Sequence, residues 1–149
     1  MVYDSVLKVT WLKTWNGGPF TWGAANTWAS GLVHEGHSDW RLPTGDIDAQ
    51  PGPDNEYRSV WQSAGGTTAL FKSIFTVNNN VHWSSSPFDA AAAYNFRSSG
   101  VTSRANNTFT SFVVAVHPGN LAPIPEPQTY ALLLAGLGVL AVAVRRRSR

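Results

Sequence analysis

Several groups of side chains in this chain have the types needed for chemistry, and their spacing decides what they can do. His34-Glu35-Gly36-His37 sets two imidazoles around a carboxylate, the ligand types of a metal-assisted hydrolase. The spacing is not His-Glu-x-x-His, so the metalloprotease geometry fails, and two cations closing a helix account for the pair. Asp46, Asp48, Asp54, Asn55 and Glu56 offer the hard oxygens that calcium takes. They do not follow an EF-hand, and they read as solvated loop charges. Ser84-Ser85-Ser86 reads as a turn and lacks the glycine-flanked elbow that presents a serine nucleophile; His82 and His117 stand isolated. The chain has no cysteine, which removes thiolate chemistry, disulfides and sulfur-bound zinc. Gly136-Leu137-Gly138-Val139-Leu140-Ala141 spells a dinucleotide pattern, but inside an apolar run with no strand and helix around it. The reading is of a protein without catalytic residues, metal or cofactor.

Two further constellations concern binding. Asp39 and Arg41 flank Trp40, and in an extended segment side chains two apart point the same way. As a clamp they would hold a ligand; as structure, they would tie loops together while Trp40 fills the core. The structural role is favoured, because a loop-rich fold needs such buried polar ties. Trp15, Trp22, Trp28, Trp61 and Trp83 have flat faces suited to sugar rings. Trp22 falls on an apolar helical stripe, whereas Trp28 falls off it and Trp15 sits in a turn. Trp15 and Trp28 are therefore the expected ligand-stacking residues.

The elements that position these residues follow from pattern. Val6–Leu12 is rich in β-branched and aromatic residues and reads as a strand. Trp15-Asn16-Gly17-Gly18-Pro19 reads as a turn, and Thr21 as an N-cap whose hydroxyl takes a free amide. Trp22, Ala25, Ala29 and Leu32 follow at helical spacing and predict a helix over 22–34, stopped by Gly36. Strands are expected at 94–96 and 113–116, and turns at Gly65-Gly66, 78–80 and 98–100. The 149 residues allow one domain and a tail. Ahead of Pro125 there are seven basic side chains against eight acidic ones, so the domain carries a net charge of −1 and lacks the basic footprint of a nucleic-acid binder.

Gly36-His-Ser-Asp39-Trp40-Arg41-Leu42-Pro43-Thr44, behind a helix led by Thr21-Trp22, closely resembles the hallmark of the Lcl C-terminal domain family. Tyr3-Asp4 with Val9–Leu12 is similar to that family's opening strand. Val81–Ser85 is similar to its late aromatic strand, and Phe112–Gly119 to its closing strand. The resemblance covers about residues 3–120. It implies an α+β, C-type-lectin-like, loop-rich fold with one main helix, in which first and last strands pair. It also implies a binding or adhesion role, with polysaccharide as a ligand class. Two departures are visible. Gly45–Pro53 separates the hallmark from its following helix, expected within 55–69, and His117 stands where the family carries an arginine.

The tail carries a different signal. Pro125-Glu126-Pro127, the spacer Gln128-Thr129, an uncharged run over 130–144 and the cluster Arg145-Arg146-Arg147 follow one another in order. Prolines break any upstream helix. A fifteen-residue helix covers only about 22 Å of a ~30 Å bilayer core. The arginines answer for the shortfall, because they snorkel and remain on the cytoplasmic side. The arrangement resembles the PEP-CTERM sorting signal of Gram-negative bacteria. That resemblance implies export, transient anchoring in the inner membrane, and processing near Pro125–Pro127 by an exosortase, with release to the cell surface or extracellular matrix.

The expected organisation is a domain at 1–120, a proline-rich linker at 121–129, a single transmembrane helix at 130–144 and a basic end at 145–149. Met1-Val2-Tyr3-Asp4 opens without a basic n-region or an apolar h-region, so a truncated N-terminus is expected. The expected function is that of an exported, exosortase-sorted surface or matrix protein that binds rather than catalyses. The alternatives are a structural matrix component without a specific ligand and a truncated remnant.

Overall fold

The computed structural model describes residues 1–78 and 80–121. The expected transmembrane helix, the sorting residues and the basic end lie outside the described residues, as does all of the linker except Leu121. Among the described residues no helix is long and apolar enough to cross a membrane.

The chain runs β1 (Val2–Asp4), β2 (Val9–Trp11), β3 (Thr14–Trp15), β4 (Gly17–Phe20), α1 (Trp22–Ser30), α2 (Glu56–Ser63), α3 (Thr68–Ile74), β5 (Thr76–Val77), β6 (Val81–Pro87), β7 (Ala92–Arg97), β8 (Thr102–Asn106), β9 (Ser111–Val113) and β10 (Val116–Pro118). This is a mixed α+β arrangement with three helices among the described residues rather than one main helix. Three sheets form, in the orders β1-β2-β10, β3-β5 and β4-β9-β6-β7-β8. The first and last strands meet through β2, where Trp11 lies opposite Val2 on one side and Val116 on the other.

The expected strand at Val6–Leu12 is shorter, because Asp4 intervenes. Its Oδ1 accepts from the amides of Val6 and Leu7 at 2.9 and 3.0 Å, which folds the chain into a turn before Val9. The closing strand is two strands. β9 and β10 belong to different sheets, and Val114-Ala115 carries the chain between them with Ala115 O accepting from Leu12 N at 3.0 Å. Ser84–Ser86 is also strand rather than turn, lying within β6.

α1 ends at Ser30, four residues earlier than its apolar spacing predicts. Gly31 caps it, with its amide on Thr27 O. Leu32–Val33 then leads into a tight hairpin in which His34 and His37 exchange two backbone bonds of 3.0 Å. Glu35 (φ 50) and Gly36 (φ 78) form its left-handed centre. Gly36 thus serves the hairpin, not the helix end. Thr21 occupies the N-cap without a side-chain cap bond, and the Trp22 amide is taken by Asn107 O at 3.2 Å. A tertiary carbonyl does the work expected of the hydroxyl.

The core has two parts. One gathers Val9, Trp11, Trp15, Tyr57, Val60, Phe71, Phe75, Phe96, Val114 and Val116; the other gathers Ala25, Ala29, Trp40, Leu42, Trp83, Ala93, Val113 and Ala115. Trp15 is the hub of the first. Trp11 stacks on it at 5.3 Å, Phe71 meets it edge-on at 5.0 Å and His82 edge-on at 5.5 Å. Each such pair adds about 0.5–1.5 kcal/mol beyond its area burial.

His82 is buried in this aromatic group. Its Nε2–H donates to Trp15 O at 3.0 Å, while Nδ1 has no hydrogen-bond partner. Burial pushes its pKa below the ordinary 6.5. The unfolded chain therefore binds a proton that the folded chain refuses, and stability must fall as pH drops below about 6.5. Melting temperatures recorded from pH 7.5 to 5 should decline in this window, and His82→Gln, less stable at pH 7.5, should show a shallower decline.

Candidate functional site

The hallmark segment enters the fold as a structural clasp. Trp40 is buried against α1, and its indole N–H donates to His37 O at 2.9 Å. His34 and His117 meet its ring edge-on at 5.8 and 5.3 Å. His117, where the family resemblance calls for arginine, thus packs on the hallmark tryptophan. Leu42 is buried beside it. Pro43 O accepts from Ser85 N at 2.8 Å and so ties the segment to β6.

Arg41 does the tying on the other side. Its backbone exchanges bonds of 3.0 and 2.8 Å with Val116 of β10. Its guanidinium grips Glu56 in a two-pronged pair, each bond 2.7 Å, and also donates to Leu42 O at 3.1 Å. Glu56 opens α2 and is only 2% exposed. Its Oε2 also accepts from Thr44 N at 2.9 Å, while Thr44 Oγ1 accepts from Glu56 N at 3.1 Å. The reciprocal bonds make a capping box across a loop. The hydrogen bonds to Glu56 raise the Arg41 pKa against the opposing effect of burial. Burial, followed by the charge of Glu56, lifts the Tyr57 phenol well above its usual range, so it remains a donor to Trp83 O at 2.9 Å.

Three expectations change here. Asp39 is no partner of Arg41: its φ of 66° breaks the extended geometry and leaves the side chain exposed. Glu56 and Asn55 are not solvated loop charges. Asn55 is fully buried; its Oδ1 accepts from Arg58 N at 3.2 Å, and its amide holds the carbonyls of Asp46 and Ala49 at 2.6 and 3.1 Å. Trp15 presents no face to solvent, since it is 0% exposed. Trp28 is half-buried and stacks on Phe20 at 6.2 Å. Trp15 and Trp28 therefore do not come together.

The residues around Trp61 do. On α2, Arg58, Trp61 and Gln62 stand three and four positions apart and share a face. The β7–β8 turn faces them with Gly100, Val101 and Thr102, and Ile47 closes the groove, which holds about 330 Å³. Gly100 (φ 85) is needed there, because a Cβ would come within 2.6 Å of the indole. The only advance signal was the Arg58-x-x-Trp61-Gln62 spacing on the helix expected within 55–69.

Among the described residues no three His, Asp or Glu side chains are arranged to hold a metal ion. Ser84 Oγ is committed to Tyr94 O at 2.9 Å, and His82 to Trp15 O at 3.0 Å.

A family model described as the PEP-CTERM protein-sorting motif matches residues 123–147. The match contains Pro125, Glu126, Pro127 and Arg145, Arg146 and Arg147, and it indicates exosortase-dependent sorting of an exported, surface-associated protein that passes through the membrane in a Gram-negative bacterium. No curated protein matches the chain.

The clasp has a measurable consequence. Breaking a fully buried ion pair costs about 3–5 kcal/mol. Arg41 keeps some access to water, so Glu56→Ala should cost about 2–3 kcal/mol. Asp39→Ala should change stability by less than ~0.5 kcal/mol. Urea denaturation of the two variants separates the roles.

Proposed function

We propose that this protein is an exported surface or matrix component, sorted by exosortase, whose Lcl-type, C-type-lectin-like domain serves binding or adhesion, with polysaccharide as the ligand class. The observation that carries the reading is the sorting motif over 123–147 placed directly behind a folded domain. A protein delivered to the outside of a matrix-forming cell meets carbohydrate first.

The domain supports the reading in three ways. The hallmark Asp39–Thr44 sits at a clasp between loops, as a scaffold for long loops requires, and the pairing of β2 with β10 brings the ends of the domain together. Ser84 and His82, neither of which has a nucleophile's setting in the sequence, are each committed to a backbone carbonyl, in keeping with a binding role. An aromatic groove lined by both polar and apolar side chains is present at α2.

Sorting and anchoring are separable by mutation. Replacing Pro125, Glu126 and Pro127 together by alanine should leave the unprocessed chain in the inner-membrane fraction, while the native chain reaches the surface or medium in a shortened form. Removing Arg145, Arg146, Arg147 and Arg149 should instead let the chain pass through without being held. Fractionation and immunoblotting in the producing host check both; equal surface delivery of the alanine variant would refute the sorting assignment.

A further inference from the structure

We infer that the Trp61 groove is a saccharide subsite that takes one carboxylate-bearing pyranose unit, with Arg58 holding the carboxylate. This deepens the proposed binding function and rests on it.

Several polar groups of the groove are unspent. Arg58 is half-buried, and its guanidinium has no hydrogen bond or ion pair among the described residues. The Gln62 amide and the Thr102 hydroxyl are likewise without partners among the described residues. The indole N–H of Trp61 is buried and has no acceptor. Arg58 and Thr102 are half-buried and Gln62 stands exposed at the rim, so one groove presents three unpartnered polar side chains beside the buried indole N–H, a set that suits a ligand rich in oxygen. A guanidinium in this state calls for an anion, and its planar fork fits a carboxylate in two-pronged fashion.

The remaining walls are apolar. Trp61 offers ring surface, and Ile47 and Val101 are 48% and 52% exposed at the lips. A pyranose has this dual character: C–H bonds on one face, hydroxyls round the rim. The groove volume of about 330 Å³ lies at the small end of ligand sites, which suits one sugar unit rather than a long segment. One cation fits one carboxylate per sugar; a polysulfated chain would need a basic stripe, and the domain is near neutral. Asp46 and Asp48 flank Ile47 but do not line the groove; Asp46 Oδ1 accepts from the Asp48 amide at 2.9 Å, and the charges of both act on Tyr94. The backing of the site is rigid. Gly100 lies against the indole, and Asn55 pins the loop bearing Ile47.

The test uses the full chain in a mild detergent, titrated calorimetrically with trigalacturonate and with its methyl ester, which keeps the shape and loses the charge. Trigalacturonate should bind at least about tenfold more tightly than the ester. Arg58→Gln should abolish that difference without shifting the melting temperature, because the guanidinium supports nothing else in the described fold. Gln62→Ala and Thr102→Val should weaken both sugars several-fold. Retention of the same proteins on exopolysaccharide extracted from the producing cells is measured in parallel. Retention that survives Arg58→Gln undiminished, or equal affinity for the two trimers, overturns the groove assignment and leaves the binding function standing. Trimer binding lost in Arg58→Gln, with no retention on the extracted polysaccharide, supports the groove and counts against the proposed function. No binding of either trimer overturns the inference outright.

Discussion

A carboxylate taken out of water must be matched, and the matching of Glu56 sets the layout of this domain. Two guanidinium nitrogens of Arg41 and the amide of Thr44 surround it. Each of those groups belongs to a segment with other obligations. Arg41 is bonded through its backbone to β10, Thr44 reaches on to Pro53 O, and Glu56 begins the helix that carries Tyr57 into the aromatic core. One ion pair therefore fixes the hallmark segment, the 45–55 loop, the closing strand and α2 relative to one another. A hydrophobic contact would hold them together but would not specify the angle; a two-pronged pair does.

This explains which parts of the sequence were readable. The run Asp39–Thr44, standing between a helix and a loop, already suggested a tie between loops with Trp40 in the core. The partner could not be read, because it lies fifteen residues away behind a loop of glycine, proline and aspartate. Composition placed Glu56 with the acidic residues around it, and only the helix start distinguishes it. Asp39 misled for the opposite reason. It stands beside Arg41 in sequence, but its left-handed backbone turns it away. Trp15 shows the same limit. Its neighbours Asn16, Gly17, Gly18 and Pro19 are of turn-forming types, yet in place of the expected turn Gly17–Phe20 forms β4 against β9, and the two-residue strand before it inserts the Trp15 ring at the centre of the core. Long-range packing decided the matter, and no local pattern carries that information.

Helix ends tell a related story. The apolar stripe Trp22, Ala25, Ala29, Leu32 is helical in period, and the helix begins where the pattern says. It stops at Gly31 because the next residues are needed elsewhere: the hairpin at His34–His37 must deliver the His37 carbonyl to the Trp40 indole. The small residues Ala25 and Ala29 then have their own purpose, since they let α1 lie close to the second core. The split closing strand follows the same logic. Val113 serves one sheet and Val116 another, so a continuous apolar run, Val113-Val114-Ala115-Val116, conceals a change of sheet.

The end of the described chain is held as firmly as its centre. Thr10 Oγ1 donates to Gly119 O at 2.7 Å and accepts from the Leu121 amide at 3.3 Å, so β2 clips the segment that leads to the sorting motif. Any pull from a membrane-held tail reaches the domain first at the β1-β2-β10 sheet. There β10 is bonded to β2 on one edge and bridged to Arg41 beyond it, which passes the load to the Glu56 clasp. The Trp61 groove is built from the other face of α2 and from the β7–β8 turn, and neither β7 nor β8 belongs to the sheet that bears the exit. The proposed anchoring and the proposed ligand capture would thus draw on different elements joined through one helix. Under the proposed function, such a division would let a surface protein be tethered at one end without distorting the Trp61 groove.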